Sequence, residues 1–254
     1  MANLRAGLIG LGMMGRHHAR VLGSLEGVDL VAVADPAGDV HGVAGGRPVV
    51  DSVEALIEQG IDYAMVAVPT AYHEAAGLAL AAAGVHAMIE KPLAPDVASA
   101  TRIAEAFETA GIVGAVGHIE RLNPALRRAR KRLAHGDLGA VHQIVTRRQG
   151  PFPARIADVG VVKDLATHDI DLTAWVAGHA FVSVAAQVAH RSGREHEDLV
   201  AIVGQLDDGT VTSHLVNWLS PLKERVTVIT GERGAFGADT LTADLTFHAN
   251  AVVH

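Results

Sequence analysis

Short apolar runs alternate with amphipathic stretches through the first half of the chain. The runs have strand length and are bounded by turn-forming residues, which predicts strands at Leu4–Ile9, Leu30–Ala34, Tyr63–Val68, His86–Ile89 and Ile112–Val116. The stretches between them have helical spacing and predict helices at Arg16–Ser24, Val53–Gln59, Glu74–Ala83 and Asp96–Ala110, with Asp96 as the N-cap. Strict strand–helix alternation predicts a parallel sheet with right-handed crossovers.

The pattern changes after about Gly117. Helical spacing recurs only at Asn123–Ala134 and Val161–Val176. Alternating runs separated by turn signals predict strands at His142–Gln149, Val182–Ala189, Leu199–Leu206, Val211–Trp218 and Arg225–Gly231. We therefore expect an α/β domain over residues 1–119, followed over residues 120–254 by an α+β domain with a mostly antiparallel open sheet.

Composition narrows the class of protein. The formal net charge of −7 argues against a general nucleic-acid binder, and the absence of cysteine excludes disulfides and thiolate zinc sites. The apolar runs are too short to span a bilayer, and three glycines interrupt the first of them where a signal peptide would need a continuous segment. These features predict a cytoplasmic protein without a membrane or nucleic-acid partner.

A glycine motif lies between the first predicted strand and the first predicted helix. Gly10 permits a tight turn, Gly12 lets the backbone approach a pyrophosphate, and Gly15 lets the helix pack on the strand. The helix N-terminus then offers free N–H groups to phosphates. This context predicts a Rossmann dinucleotide-binding domain; the alternative is a nucleotide-free α/β domain whose glycines only form a turn.

An acidic residue follows the second predicted strand. Asp35 lies twenty residues after Gly15, where a carboxylate accepts hydrogen bonds from the adenosine ribose hydroxyls. It would repel a 2′-phosphate, and the following Pro36 and Ala37 offer no cation to pair with one. The sequence therefore predicts NAD rather than NADP as cofactor.

Lys91 follows the predicted strand that ends at Ile89. Ligands bind at the carboxyl ends of strands in open α/β sheets, so Lys91 is placed to hydrogen-bond a substrate hydroxyl and the carboxamide side of a nicotinamide. The alternative is a solvated surface charge.

Asp164 and His168 are four residues apart on a predicted helix and so share one face. A histidine can take the proton of a hydroxyl while hydride leaves for the nicotinamide. Asp164 can orient that histidine or bind a neighbouring hydroxyl. A capping or surface interaction is the alternative for this pair.

These residues together resemble one protein family. Its motifs occur here in order as Gly10–Gly15, Val68–Thr70 with His73, Glu90–Pro92, and Asp164 with His168 and Asp171. They are similar to those of the glucose–fructose oxidoreductase, inositol dehydrogenase and rhizopine-catabolism (GFO/IDH/MocA) family, and the resemblance covers nearly the whole chain. It implies an NAD-dependent oxidoreductase that acts on CH–OH groups.

The resemblance also implies roles for individual residues. The cofactor would contact the glycine loop and several strand ends, at Met13, Met14, Pro69, Thr70, His73, Glu90 and Lys91. His73 is expected to be structural or to lie near the cofactor. The base would be His168, or His168 would share that role with Lys91. The bond between Lys91 and Pro92 is expected to be cis.

A narrower likeness concerns the substrate. The segments 117–124, 150–155 and 163–171 look like the family branch that oxidises the 3-hydroxyl of UDP-N-acetylglucosamine. They place four residues as substrate contacts: Glu120, Arg121, Asn123 and Arg155. Arginine binds two oxygens of a diphosphate at once. The alternatives are surface ion pairs for Arg121 and Arg155 and a helix N-cap for Asn123.

The second domain is expected to form a homodimer or homotetramer through its sheet. The helices available after Gly117 can cover one face of that sheet, and the runs Val200–Ile202, Val211–His214 and Val226–Val228 place apolar residues on both. Family members pair in this way.

Other functions fit the sequence less well. A non-catalytic nicotinamide-binding sensor needs no Lys91, Asp164 or His168. A metal-dependent hydrolase using His168 and its neighbouring aspartates would not explain the glycine motif, and its ligand spacing matches no strong metal pattern, so we predict no metal. An inositol or free-sugar dehydrogenase of the same family is the closest alternative. Family members usually run longer than this chain, so we expect either that the family's later helix and strand are absent here or that the sequence is an incomplete part of a longer chain.

Overall fold

The computed structural model describes residues 2–153 and 159–251. It divides into two compact units, Met1–Gly117 and His118–His254. Within the described residues, no helix is long and apolar enough to cross a membrane.

The first unit contains a parallel sheet of six strands in the order β3-β2-β1-β4-β5-β6. Its strands are β1 (Leu4–Ile9), β2 (Val28–Ala34), β3 (Val49–Val50), β4 (Tyr63–Val66), β5 (His86–Ile89) and β6 (Gly114–Val116). All pairs are parallel, as the alternating pattern predicted. The two-residue β3 was not predicted, because it is too short to show a pattern.

The helices of this unit are α1 (Met13–Leu22), α2 (Val53–Ile57), α3 (His73–Ala82) and α4 (Val97–Thr109). The predicted cap of α4 is confirmed, because Asp96 accepts a hydrogen bond of 2.8 Å from the Ser99 N–H. Helix α1 begins at Met13 rather than at Arg16, since Gly12 is already its extended N-cap residue. The helix therefore starts inside the glycine motif.

The second unit contains a seven-stranded sheet in the order β13-β12-β11-β7-β10-β9-β8. Its strands are β7 (Val141–Pro151), β8 (Phe181–Ala189), β9 (Leu199–Leu206), β10 (Val211–Asn217), β11 (Leu219–Gly231), β12 (Gly234–Asp239) and β13 (Asp244–Ala249). All pairs are antiparallel except β7 with β10. The predicted fold class, a Rossmann domain followed by an α+β domain with a mostly antiparallel sheet, is confirmed.

Strand β12 was not predicted, because its glycines give no apolar alternation. The glycines fit a close approach to β13 instead. A Cβ atom on Gly234 would lie 2.2 Å from the His248 carbonyl oxygen, and one on Gly237 would lie 2.9 Å from Thr246 Oγ1. Cross-strand packing therefore requires glycine at positions where a local pattern indicates a turn.

In the described part of this unit the α-helices are α5 (Pro124–Ala134) and α6 (Thr167–Ala177), a 3-10 helix at Ile119–Leu122 precedes α5, and a π-helical turn at Val162–Ala166 leads into α6. The core that joins helices and sheet contains Leu126, Leu172 and Phe236, all fully buried. The helices thus cover one face of the sheet.

The opposite face remains open to solvent. Val203, Val211 and Leu215 point away from the helices with 54%, 45% and 36% of their surface exposed. Apolar side chains in such a group favour contact with another protein surface.

His214 lies on the covered face and is fully buried, with Nδ1 2.9 Å from Thr146 Oγ1. Burial lowers its pKa from 6.5 to about 4. The unfolded chain therefore binds a proton between pH 6.5 and pH 4 that the folded chain does not bind, and folding stability falls as the pH falls through this window.

We expect His214→Gln to remove this pH dependence. In the wild type, His214 should lower the free energy of unfolding by about 3 kcal/mol between pH 7 and pH 4. Chemical denaturation of both proteins at pH 7 and pH 4 checks this loss, because other titrating groups contribute equally to both. An equal loss of unfolding free energy in the two proteins between these pH values would contradict the role given to His214.

Candidate active site

The glycine loop has the geometry that a dinucleotide cradle needs. Gly10 has a φ of +92°, and a Cβ atom there would lie 2.8 Å from the Ala67 backbone. A Cβ on Gly15 would lie 2.0 Å from the Gly10 carbonyl oxygen, whereas nothing lies within 4 Å of one on Gly12. Gly10 and Gly15 thus permit the tight packing of α1, and Gly12 leaves open space beside the N-terminus of this helix, where a pyrophosphate fits. Met13 and Met14 are exposed at this end of α1.

Asp35 holds the glycine loop from the end of β2. Its Oδ2 accepts a hydrogen bond of 2.8 Å from the Leu11 N–H, and its Oδ1 accepts one of 2.9 Å from the Ala37 N–H. Each carboxylate oxygen can accept a second hydrogen bond, so Asp35 can still bind two ribose hydroxyls. The residues present therefore fit an NAD cofactor.

Lys91 lies on the same edge of the sheet as this loop, because β1, β2 and β5 run parallel and each site residue follows the end of its strand. The lysine is half-buried, and its backbone N–H donates a 3.2 Å hydrogen bond to Glu90 Oε2. The peptide bond between Lys91 and Pro92 is cis, which confirms the prediction. Ligand-binding residues thus gather at the carboxyl ends of these strands.

Glu90 is buried and paired with a residue that the sequence analysis did not single out. Its Oε1 lies 2.8 Å from Nε2 of His18 on α1, and a Cβ on Gly117 would lie only 3.0 Å from its Oε2. Burial alone would raise the pKa of the Glu90 carboxyl, but the contacts with His18 and with the Lys91 N–H outweigh burial and lower it. Glu90 is therefore a buried carboxylate fixed from several sides.

The segment after β4 presents Pro69 and Thr70 at the start of a short 3-10 helix, with Pro69 exposed and Thr70 half-buried. His73, the third predicted contact there, is buried to 1% exposure, and both of its ring nitrogens lie within hydrogen-bond distance of backbone carbonyl oxygens. The structural alternative kept open for His73 thus has direct support.

Asp164 and His168 lie where the π-helical turn passes into α6, and both are half-buried. Single π-turns inside α-helices occur frequently at functional sites. The wider turn was not predicted, because its sequence has the apolar spacing of an ordinary helix.

A network of charged side chains joins α6 to β7. Arg148 on β7 is 3% exposed, and its Nε donates a 2.6 Å hydrogen bond to Asp169 Oδ2 while Nη1 donates a 2.7 Å bond to Glu120 Oε1. Burial alone would lower the pKa of the Arg148 guanidinium, but Asp169 and Glu120 raise it. Sequence reasoning missed Arg148, although its inward position in an alternating strand was a signal.

The remaining proposed substrate contacts have partners inside the second unit. Arg121 forms a two-pronged ion pair with Asp171, through Nε at 2.9 Å and Nη2 at 2.5 Å. Asn123 accepts a hydrogen bond from the Ala125 N–H at 3.0 Å and therefore caps α5, the alternative left open above. Arg155 lies outside the described residues.

Among the described residues, one group has carboxylate and imidazole atoms close enough to share a metal ion: His179, Asp207 and Asp208. It is exposed and does not include the residues of the hydrolase alternative. A hydrogen bond of 2.6 Å between His179 Nδ1 and Asp207 Oδ1 already joins two of its members.

Sequence models of one oxidoreductase family match both units. An oxidoreductase-family model with an NAD-binding Rossmann fold matches residues 4–118, and the GFO/IDH/MocA C-terminal domain matches residues 126–237. The first unit is thus an NAD-binding domain.

Individual relatives bear names of sugar and inositol dehydrogenases. UDP-N-acetylglucosamine 3-dehydrogenase of Acidithiobacillus ferrooxidans is 32% identical over 84% of this chain and 66% of its own length. Myo-inositol dehydrogenase Hyg17 of Streptomyces leeuwenhoekii is 32% identical over 89% of this chain and 74% of its own length. The chain spans 56% of the length of two further inositol 2-dehydrogenases.

Solved structures agree with this family. The structure of the Acidithiobacillus ferrooxidans enzyme superposes with a TM-score of 0.88 at 28% identity, covering 100% of this chain and 84% of that one. GenD2 from gentamicin A biosynthesis, solved with NAD, superposes with a TM-score of 0.86 at 27% identity, covering 94% and 73%. Family models, relatives and fold agree, and the chain belongs to the GFO/IDH/MocA family of oxidoreductases.

Proposed function

We propose that this protein is an NAD-dependent dehydrogenase that oxidises a ring hydroxyl of a sugar-like substrate to a ketone. The observation that carries the proposal is the half-buried Lys91 at the carboxyl end of β5, on the sheet edge that also holds the glycine loop and Asp35. A nicotinamide cofactor, when bound, supplies the hydride acceptor. A binding module would need the loop and Asp35 but not this lysine.

The chain's own residues supply the proton chemistry. The ammonium group of Lys91 donates a hydrogen bond to the substrate hydroxyl oxygen and so stabilises negative charge that develops there. His168 accepts the hydroxyl proton, and Asp164, one helical turn away, orients its ring or binds a neighbouring hydroxyl.

The substrate we propose is a nucleotide-activated amino sugar such as UDP-N-acetylglucosamine, oxidised at its 3-hydroxyl. The relative that bears this name supports the proposal. The guanidinium group of Arg121 already donates two hydrogen bonds to Asp171. A diphosphate would therefore bind to Arg155, or Arg121 would have to leave Asp171 in order to bind it. An inositol is the second candidate, since several relatives are named inositol dehydrogenases.

A panel of substrates tests both the proposed dehydrogenase reaction and the proposed substrate. The purified chain is incubated with NAD and, in turn, nucleotide sugars, inositols and free hexoses, and the absorbance of reduced cofactor is followed. Fastest turnover of a UDP-amino sugar is expected. Faster oxidation of an inositol or hexose would overturn the substrate, and NAD binding without turnover of any compound would favour the non-catalytic sensor.

The cofactor preference gives a prediction at Asp35. We expect NAD to be preferred over NADP by at least about 30-fold in kcat/KM, because placing a 2′-phosphate beside a carboxylate costs on the order of 2 kcal/mol. Asp35→Ser should reduce this ratio, whereas Asp51→Ser, which changes an exposed acid after β3, should not. Equal efficiency of the two cofactors with the wild type would contradict the role of Asp35.

The open sheet face gives a prediction about assembly. We propose a homodimer or homotetramer that buries Val203, Val211 and Leu215, and we expect Val203→Lys to shift it toward monomer. Val40→Lys, at a 72% exposed valine of the first unit, is the matched control. Light scattering at micromolar protein concentration measures the molar mass of each protein, and a monomeric wild type would refute the proposed assembly.

A further inference from the structure

Two histidines on two different helices contact the residues around Lys91, one through the Glu90 carboxylate and the other through backbone carbonyl oxygens. The segment concerned, Glu90–Leu93, follows β5 and is called the lysine segment below. His18 reaches it from α1, and His73 reaches it from the first residue of α3. The proposed mechanism uses neither side chain.

His73 joins the lysine segment to the end of β4. Its Nδ1 lies 3.0 Å from the Pro92 carbonyl oxygen and 3.3 Å from that of Leu93, while Nε2 lies 3.0 Å from the Val68 carbonyl oxygen. Carbonyl oxygens only accept hydrogen bonds, and a neutral imidazole has one ring N–H, so the tautomer with its proton on Nδ1 is the one that anchors the lysine segment. Because both nitrogens face carbonyl oxygens and the side chain is 1% exposed, the ring is directed at backbone rather than at a ligand.

His18 holds the other end of the segment through Glu90. Its Nε2 lies 2.8 Å from Glu90 Oε1, and Glu90 Oε2 accepts the N–H of Lys91 at 3.2 Å. Both side chains are largely buried, at 14% and 11% exposure. Hydrogen bonds shielded from water are strong, and a buried carboxylate that loses its partner is costly, so loss of His18 should displace Glu90 and the Lys91 backbone with it.

We propose that His18 and His73 are positioning residues that fix the backbone of Lys91 and so determine where its ammonium group can reach. The inference rests on the proposed role of Lys91 for its catalytic consequence, but not for the anchoring itself. A lysine side chain is long and flexible, so the precision of its ammonium depends on the backbone from which it starts. A displacement of about 1 Å at such a group can cost about a hundredfold in rate.

The first test needs no substrate. His18→Leu and His73→Leu remove the contacts. His18→Gln and His73→Gln retain a hydrogen-bond donor. The controls, His17→Leu and His41→Leu, change exposed histidines. Hydrogen exchange of a peptide covering the lysine segment is followed by mass spectrometry. We expect exchange at least about tenfold faster in the leucine variants, a smaller change in the glutamine variants, and none in the controls. Unchanged exchange in both leucine variants would overturn the inference.

The second test measures turnover with the best substrate of the panel. In the leucine variants kcat should fall about 10- to 100-fold while KM and the NAD dissociation constant stay within about threefold, and the glutamine variants should recover part of kcat. Should a leucine variant fail to fold, its glutamine counterpart is compared with wild type. Faster exchange with unchanged kcat would refute the catalytic consequence. A wild type inactive toward every compound would refute the proposed function instead, and the exchange data would still decide the anchoring.

Discussion

Replacing Lys91 with methionine should reduce kcat by about a thousandfold while NAD binding stays nearly unchanged. Methionine retains the length and apolar stem of the side chain but cannot donate a hydrogen bond to the reacting oxygen. Removal of one such donor typically costs two to three orders of magnitude. The glycine loop and Asp35, which bind the rest of the cofactor, lie on other strand ends and remain in place.

Steady-state kinetics and a fluorescence titration with NADH measure the two quantities. Lys131→Met is the matched control, because Lys131 is an exposed lysine on α5, and it should leave kcat within about twofold. Turnover by Lys91→Met at more than a tenth of the wild-type rate would contradict the assigned role.

His168 provides a comparison within the same experiment. If His168 is the base, His168→Gln should lose about 10²- to 10⁴-fold in kcat. If Lys91 is the base instead, Lys91→Met should be the more damaging change by a wide margin. Comparable losses for both are the result expected from the separate roles proposed here.

The largest effect on stability is expected at Arg148. Arg148→Met leaves the carboxylate of Asp169, 2% exposed, without its partner in the interior, and breaking a buried ion pair from one side costs about 3–5 kcal/mol. The cost arises from an uncompensated buried charge rather than from lost packing, because methionine fills much of the space of the arginine stem.

The neighbouring residue on β7 is a suitable control. Arg147 points to the opposite face, where its side chain is 53% exposed and forms an ion pair of 2.6 Å with Glu224. Exposed ion pairs contribute about 0–1 kcal/mol, so Arg147→Met should change the free energy of unfolding by less than about 1 kcal/mol. Equilibrium denaturation at pH 7 compares the two variants, and equal losses of stability would show that the Arg148 network is not the buried charge pair described here.

Much of the first domain could be predicted from local pattern. The glycine motif, the cap at Asp96, the strands before Asp35 and Lys91, and their parallel arrangement depend on residues close together in the chain. Alternation of strand and helix leaves few topologies open, because right-handed crossovers are strongly preferred. The candidate cofactor site could be read from the sequence for the same reason, since Gly10, Asp35 and Glu90 each directly follow a strand.

Long-range contacts could not be predicted in this way. The parallel pairing of β7 with β10 joins segments about seventy residues apart, and β12 is a strand because its glycines admit β13. The contact of His18 with Glu90 likewise depends on how α1 packs beside the end of β5. No local periodicity encodes such pairings, because they depend on which surfaces meet once the chain has folded.

The division between sequence and structure is clearest for the charged residues. By itself the sequence determined the fold class, the family likeness, the position of Lys91 after a strand and that of His168 on a helix. Only the tertiary structure decided that Arg121 pairs with Asp171 and that Arg148 holds Asp169 in the interior. An arginine in a sequence looks the same whether it faces solvent, a ligand or a buried carboxylate, because its role is set by the dielectric and the partners that folding places around it.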